Sequence, residues 1–397
     1  MRRILALAFA LALTLVAGVA SAAPPPPGPG LVLGVQDDRL PVADAPRLTS
    51  GLDHLAAARV TASRVDVLWS QVAPTRPADG ADHADAAYRW ATYDAILRGL
   101  AARGIEPVLD VYGTPGWAAD PAFAGRNGPD AGRRAPEPAA YGAFMAALAT
   151  RYSGVATDAA GALLPRARMY EPWNEPNLAF FLRPQWTDPG TGALAPASPA
   201  VYAELLRRAH AAVHAAQPDA VVIGLATGSS GDAPPPPADP SAGSVGVTTF
   251  VRALAAMDPP VPMEAYSQHL YPVAAPSEPS PALLSFARLP DLIALLDELR
   301  PGLPLLITEF GYLTAAPAAN PNRAGIVTFD RQAANLADAV RVMSLQPRIR
   351  LAIWFNLQDN VGWPAGLRTE ADAPKPAWDA LTALLAPPPP PPPPPPA

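Results

Sequence analysis

The sequence predicts an α/β chain folded as a single (β/α)8 TIM barrel. Short runs rich in valine, leucine and isoleucine alternate with longer stretches of helical periodicity from residue 31 to residue 385. Eight such runs can be counted, and with the helical stretches between them they occupy about 355 residues, the length of such a barrel with long loops. A doubly wound open sheet is the rival, but it would offer a glycine-rich phosphate turn after the first strand. The stretch Gly34-Val35-Gln36-Asp37-Asp38 supplies none.

The chain begins with Arg2 and Arg3, an apolar run over residues 4–19 and the small-residue site Ala20-Ser21-Ala22. Residues 1–22 therefore read as a cleavable signal peptide and the protein as secreted. The run is shorter than the roughly 20 residues a membrane-spanning helix needs, so no membrane insertion is expected. Residues 23–30 form a proline-rich linker, and 31–386 the barrel. Strands are expected at 31–35, 62–69, 106–112, 168–173, 220–225, 264–269, 305–309 and 351–355. Between them apolar residues recur at helical spacing, as in Tyr141, Phe144, Met145, Leu148 and Tyr152, the faces that would pack on the outside of a barrel. The prolines at 234–237 require an exposed loop, and 387–397 is a polyproline tail, a spacer that could serve cell-wall association.

Composition narrows the chemistry. The chain has no cysteine, which excludes disulfides, thiolate catalysis and cysteine-ligated zinc. Loss of Arg2 and Arg3 with the signal would take the net charge from −6 to −8, and no basic cluster offers itself to nucleic acid. No cofactor is implied. In a barrel, reacting groups sit at the carboxyl ends of strands. Two glutamates stand there, Glu175 after the fourth strand and Glu309 at the end of the seventh, on strands that face each other across the mouth. Two carboxylates so placed suit glycoside hydrolysis by double displacement, for which a separation of about 5 to 5.5 Å is expected.

At these residues the chain resembles clan A of the retaining glycoside hydrolases. The resemblance rests on Trp173-Asn174-Glu175-Pro176 followed by Thr308-Glu309-Phe310-Gly311. Supporting pieces are Arg64, Gln268-His269-Leu270-Tyr271-Pro272, Trp354 and Lys375-Pro376-Ala377-Trp378. Tyr112-Gly113-Thr114-Pro115-Gly116-Trp117-Ala118 and Trp69-Ser70-Gln71-Val72-Ala73-Pro74 look most like family 39, the bacterial exopolysaccharide-degrading type, with family 5, the cellulase-like group, next.

The resemblance implies a carbohydrate substrate with a β-linkage, Glu309 as nucleophile and Glu175 as acid/base. It gives Asn174 the sugar 2-hydroxyl, and Arg64 and Tyr271 the task of keeping Glu309 ionised while Glu175 carries the proton. His269 would contact substrate. Trp354 would floor the sugar subsite, followed by a cis peptide to Phe355. A transglycosylase using the same pair and a non-catalytic carbohydrate-binding barrel are the alternatives. Glu171 reads as structural, about 13 Å deeper than Glu175 along the strand, with a buried ion pair to Arg64 as one outcome. Trp69 and Trp117 read as packing residues, while Phe180, Phe181 and Trp186 are equally suited to packing and to sugar platforms. His210 and His214 have a metal spacing, but no glutamate follows His210 as in a metalloprotease motif, so they read as a helix face and no metal site is expected.

Overall fold

The computed structural model describes residues 30–119, 121, 131–235, 243–318, 320, 321 and 323–386. The expected signal peptide, most of the linker, the polyproline tail and part of the 234–237 tract lie outside the described residues. Eight parallel strands close into a barrel: β1 (Val32–Gln36), β2 (Ala62–Leu68), β3 (Glu106–Tyr112), β4 (Met169–Pro172), β5 (Val221–Thr227), β6 (Ala265–Leu270), β7 (Leu305–Phe310) and β8 (Ile349–Phe355). Each strand pairs with its neighbours in sequence, and β1 pairs with β8 to close the ring, from Val32 opposite Leu351 to Gln36 opposite Phe355.

A helix of at least nine residues follows each strand: α1 (Ala45–Ala57), α2 (Ala91–Ala101), α3 (Pro138–Arg151), α4 (Ser198–Ala216), α5 (Val247–Ala255), α6 (Leu289–Leu299), α7 (Phe329–Ser344) and α8 (Pro376–Leu384). Sequence explains where several begin. Asp44 and Thr328 cap α1 and α7 by accepting the amides of Arg47 and Arg331, and prolines open α3, α4, α6 and α8. Among the described residues no helix is long and apolar enough to cross a membrane.

Strand alternation sorts the side chains into two compartments. One set faces the helices and forms the large apolar layer, where Trp69 stacks on Phe144 with centroids 5.4 Å apart and meets Tyr141 and Trp117 edge-on. The other set points into the barrel. Its lower level is a small apolar plug that includes Ala62, Val108, Ile223, Ala265, Leu306 and Ile353. Its upper level is polar: Gln36, Arg64, Asp110, Glu171, Ser267, His269 and Thr308 are all buried. That polar level is the base of the mouth.

Candidate active site

Arg64 organises the base. Its guanidinium is fully buried on β2 and reaches side chains from β1, β3, β4 and β7. Nε donates to Glu171 (2.6 Å), Nη1 to Glu309 (2.6 Å) and Gln36 (3.0 Å), and Nη2 to Asn174 (2.7 Å), while Asp110 lies 2.9 Å from Nη2. Both readings of Arg64, as ion-pair partner of Glu171 and as support for Glu309, are met by one group. Glu171 is therefore one guanidinium away from Glu309 and is also bound by Thr308 (2.9 Å). Burial opposes its charge, yet Arg64 and His269 hold it below the usual carboxylate value.

Glu309 is reached through an irregularity of β7. Ser267 pairs with Leu306 and His269 with Glu309, so β7 holds one residue more than β6 over this stretch. Strict alternation would turn Thr308 and Glu309 to opposite faces; the bulge lets both enter the polar cluster. Tyr271 donates to Glu309 Oε2 (2.5 Å) and Arg64 to Oε1. The resemblance implies that these partners hold Glu309 ionised. Burial, the largest effect, and Glu175 push its carboxyl up, while His269, Arg64 and Tyr271 draw it down, and the net lies above the usual range.

Glu175 sits three residues past Pro172, the last residue of β4, in a tight turn with φ of +37°, and Trp173, two residues before it, has φ of +76°. Few non-glycine residues adopt this region, and the surroundings impose it. The Glu175 amide donates to Ala226, Asn177 is clamped by Gly228 and Val245, and Trp173 is buried against Tyr141. Asn174 accepts from Arg64 through its carbonyl oxygen, which leaves its amide hydrogens to donate.

His269 stands between the carboxylates. Its Nδ1 is 2.9 Å from Glu175 Oε1 and 3.5 Å from Glu309 Oε2, and donor atoms of all three residues lie within 4.8 Å of one another. Burial disfavours its charge, but Glu309 and Glu175 together outweigh that and raise its pKa. Two carboxylates so close, with a protonatable imidazole between them, can divide attack and proton transfer between them. The same three donors could also ligate a cation.

Trp354 is misplaced in the sequence reading. It is fully buried in the outer layer, donates to Ala365 and packs on Phe310. Leu351 and Ile353 are the inward residues of β8, so the next inward position is Phe355, and the non-proline cis peptide is Phe355–Asn356, one residue further on. The mouth's aromatic wall is Phe355, Tyr271 and Trp363, with Trp363 5.0 Å from Tyr271 and under the Arg323 guanidinium at 4.5 Å. A cavity of about 250 Å³ opens beside Tyr271, lined also by Ser229, Leu313 and Arg323.

Trp363, Arg323, Asp66 and Asp110 were missed. The two aspartates carried a signal, an acid in mid-strand at inward parity; the loop residues carried none. Trp69, Trp117 and Trp186 pack, Phe181 lies against Tyr112, and Phe180 is exposed under Arg133.

No protein-family profile and no curated protein matches the chain. Solved structures do. A family 39 glycoside hydrolase from Bacteroides cellulosilyticus WH2 superposes with a TM-score of 0.57 at 19% identity, covering 90% of this chain and 64% of that one. A glucosidase from Croceicoccus marinus gives 0.62 at 17%, covering 92% and 69%. A monomeric β-xylosidase from Caulobacter crescentus CB15 gives 0.58 at 17%, covering 91% and 69%. The shared feature is the barrel fold. The chain thus spans 64% of the length of the first of these proteins.

Proposed function

We propose that the protein is a secreted retaining glycosidase that hydrolyses β-glycosidic bonds of a poly- or oligosaccharide. The observation that carries this reading is the approach of Glu175 and Glu309 to within 4.8 Å across the mouth, with His269 between them. A closest approach within 4.8 Å is in keeping with the roughly 5 to 5.5 Å between the carboxyl groups of retaining pairs. The glycosidases among the solved structures of like fold support the same reaction class.

In the first step Glu309 attacks the anomeric carbon while the glycosidic C–O bond breaks and Glu175 gives its proton to the departing oxygen. In the second, Glu175 takes a proton from water, whose oxygen replaces Glu309 at the same carbon. Asn174 donates to the sugar 2-hydroxyl, and Phe355 and Trp363 offer ring faces to the C–H face of the pyranose. The leader over residues 1–22 exports the chain, and the polyproline tail spaces it from the cell wall.

The test is sugar release from aryl β-xylosides, aryl β-glucosides and a polysaccharide panel by wild type and Glu309→Gln, with the first product's anomer read by NMR. The expected result is release by wild type with retained configuration and none by Glu309→Gln. Glu175→Ala should spare substrates with good leaving groups and lose about 10²- to 10⁴-fold on the others. An inverted product, or wild-type rates in Glu309→Gln, would show the roles to be wrong.

A further inference from the structure

At the end of the barrel opposite the mouth, α4 and the start of β6 bring together His210, His214 and Glu264. The histidines are four residues apart on one helix face, with ring centroids 4.3 Å apart. Glu264, the residue before β6, places Oε1 2.9 Å from His210 Nε2 and Oε2 3.2 Å from His214 Nε2. The side chains keep 22 to 24% of their surface in solvent, so water reaches the cluster.

A neutral His214 cannot satisfy both of its neighbours. Its Nδ1 is 3.1 Å from the Pro218 carbonyl oxygen, which can only accept, so the ring hydrogen belongs on Nδ1. In the neutral ring Nε2 then aims a lone pair at Glu264 Oε2, which already accepts the Val222 amide at 2.9 Å. Two lone pairs at this distance repel unless something positive lies between them, either an additional proton or a metal cation.

Three features favour the cation. An Nδ1–H bond to a backbone carbonyl is the usual device that orients a histidine ligating through Nε2. Ligand atoms about 2.0 to 2.1 Å from a tetrahedral zinc stand about 3.4 Å apart, and one ligand atom from each of the three side chains lies within 4.8 Å of the other two. Two imidazoles and a carboxylate with an open side make a three-ligand zinc set that water completes, and imidazole nitrogen selects against calcium and magnesium.

We propose that His210, His214 and Glu264 bind a divalent transition metal, zinc being the best match, and that the ion ties α4 to β6. The ligands span 54 and 50 residues of sequence, so the ion closes a long loop of chain. Glu264 and His269 lie at opposite ends of β6, about 16 Å apart at 3.3 Å per residue. The ion therefore acts on stability and takes no part in the chemistry of the mouth.

The test uses untagged protein stripped with a chelator and titrated with Zn²⁺ by calorimetry and by thermal melts, with Mg²⁺ as control. The expected result is one zinc per chain, a melting temperature about 3 to 5 °C higher at a hundredfold excess over Kd, and no shift with magnesium. His214→Asn and Glu264→Gln should each weaken binding at least about tenfold, and His210→Gln serves if either fails to fold. His269→Asn should leave the affinity unchanged, which separates this site from the donors of the mouth. Melts indifferent to zinc would mean that a proton holds the pair and would overturn the proposal. So would zinc binding that survives His214→Asn or disappears in His269→Asn.

Discussion

Among single residues, Arg64 and His269 set how charge is shared in the mouth. Arg64, itself fully buried, faces Asp110, Glu171 and Glu309, and removing one partner of a buried pair costs about 3 to 5 kcal/mol. The same contacts fix the expected pH profile. Glu309 must be ionised to attack, and burial has raised its pKa, so kcat/KM should fall on the acid side at a pH above the ordinary glutamate value of 4.5. His269 has a pKa raised from 6.5 by the two carboxylates, and its proton partly offsets their repulsion, so the alkaline limb should follow its loss. In His269→Asn, which cannot carry that proton, the acid limb should move up, because Glu309 loses a neighbouring cation, and the alkaline limb should pass from the histidine to loss of the acid's proton on Glu175. A pH–rate profile of kcat/KM checks both limbs; an unchanged alkaline limb in the variant would assign it to another group.

Secondary structure and its joints decide where these groups stand. Gly228 follows β5, and a Cβ there would lie 2.8 Å from the Glu175 carboxyl carbon and 2.7 Å from Leu178. Gly228→Ala should therefore push the Glu175 carboxyl out of position and lower kcat about 10²-fold. Melting should change far less than activity; a variant with wild-type kcat would show that the turn has slack. The same joints explain what was legible in the sequence. Eight strands, their order and the two glutamates could be read because apolar runs and chain order persist through folding. The β7 bulge and the positive-φ turn at Trp173 and Glu175 could not, since both arise from contacts with distant strands. Trp354 was misassigned because β8 is apolar on both faces, which erases the alternation that distinguishes inward Phe355 from outward Trp354. His210 and His214 were visible as a spacing, but Glu264 lies 50 residues beyond His214, on another element, and no local pattern joins it to them.

At the scale of the whole molecule, the barrel exists because β1 meets β8, and that seam carries a titrating lock. Asp38, just past β1, accepts hydrogen bonds from the side-chain amides of Asn356 and Asn360, just past β8. Burial, offset in part by Asn356, raises its pKa from 3.8 to about 7. A carboxyl with a folded pKa above its unfolded value binds its proton more tightly in the native state. Its stabilisation is thus complete below the unfolded value and is lost as pH rises through the folded one, here between about 4 and 7. Asp66, Asp110 and Glu309 are also raised, chiefly by burial, and add the same sign. Glu171 and the surface carboxylates Asp158 and Asp219 are lowered instead, so their contribution is lost on acidification below about 4. The two trends place maximal stability on the acid side of neutrality. Urea unfolding at pH 5 and pH 8 should show wild type weaker at pH 8, with a smaller difference in Asp38→Asn. A wild type equally stable at both values, or a variant with the wild-type slope, would mean that the seam is open to water and Asp38 titrates like a surface carboxylate.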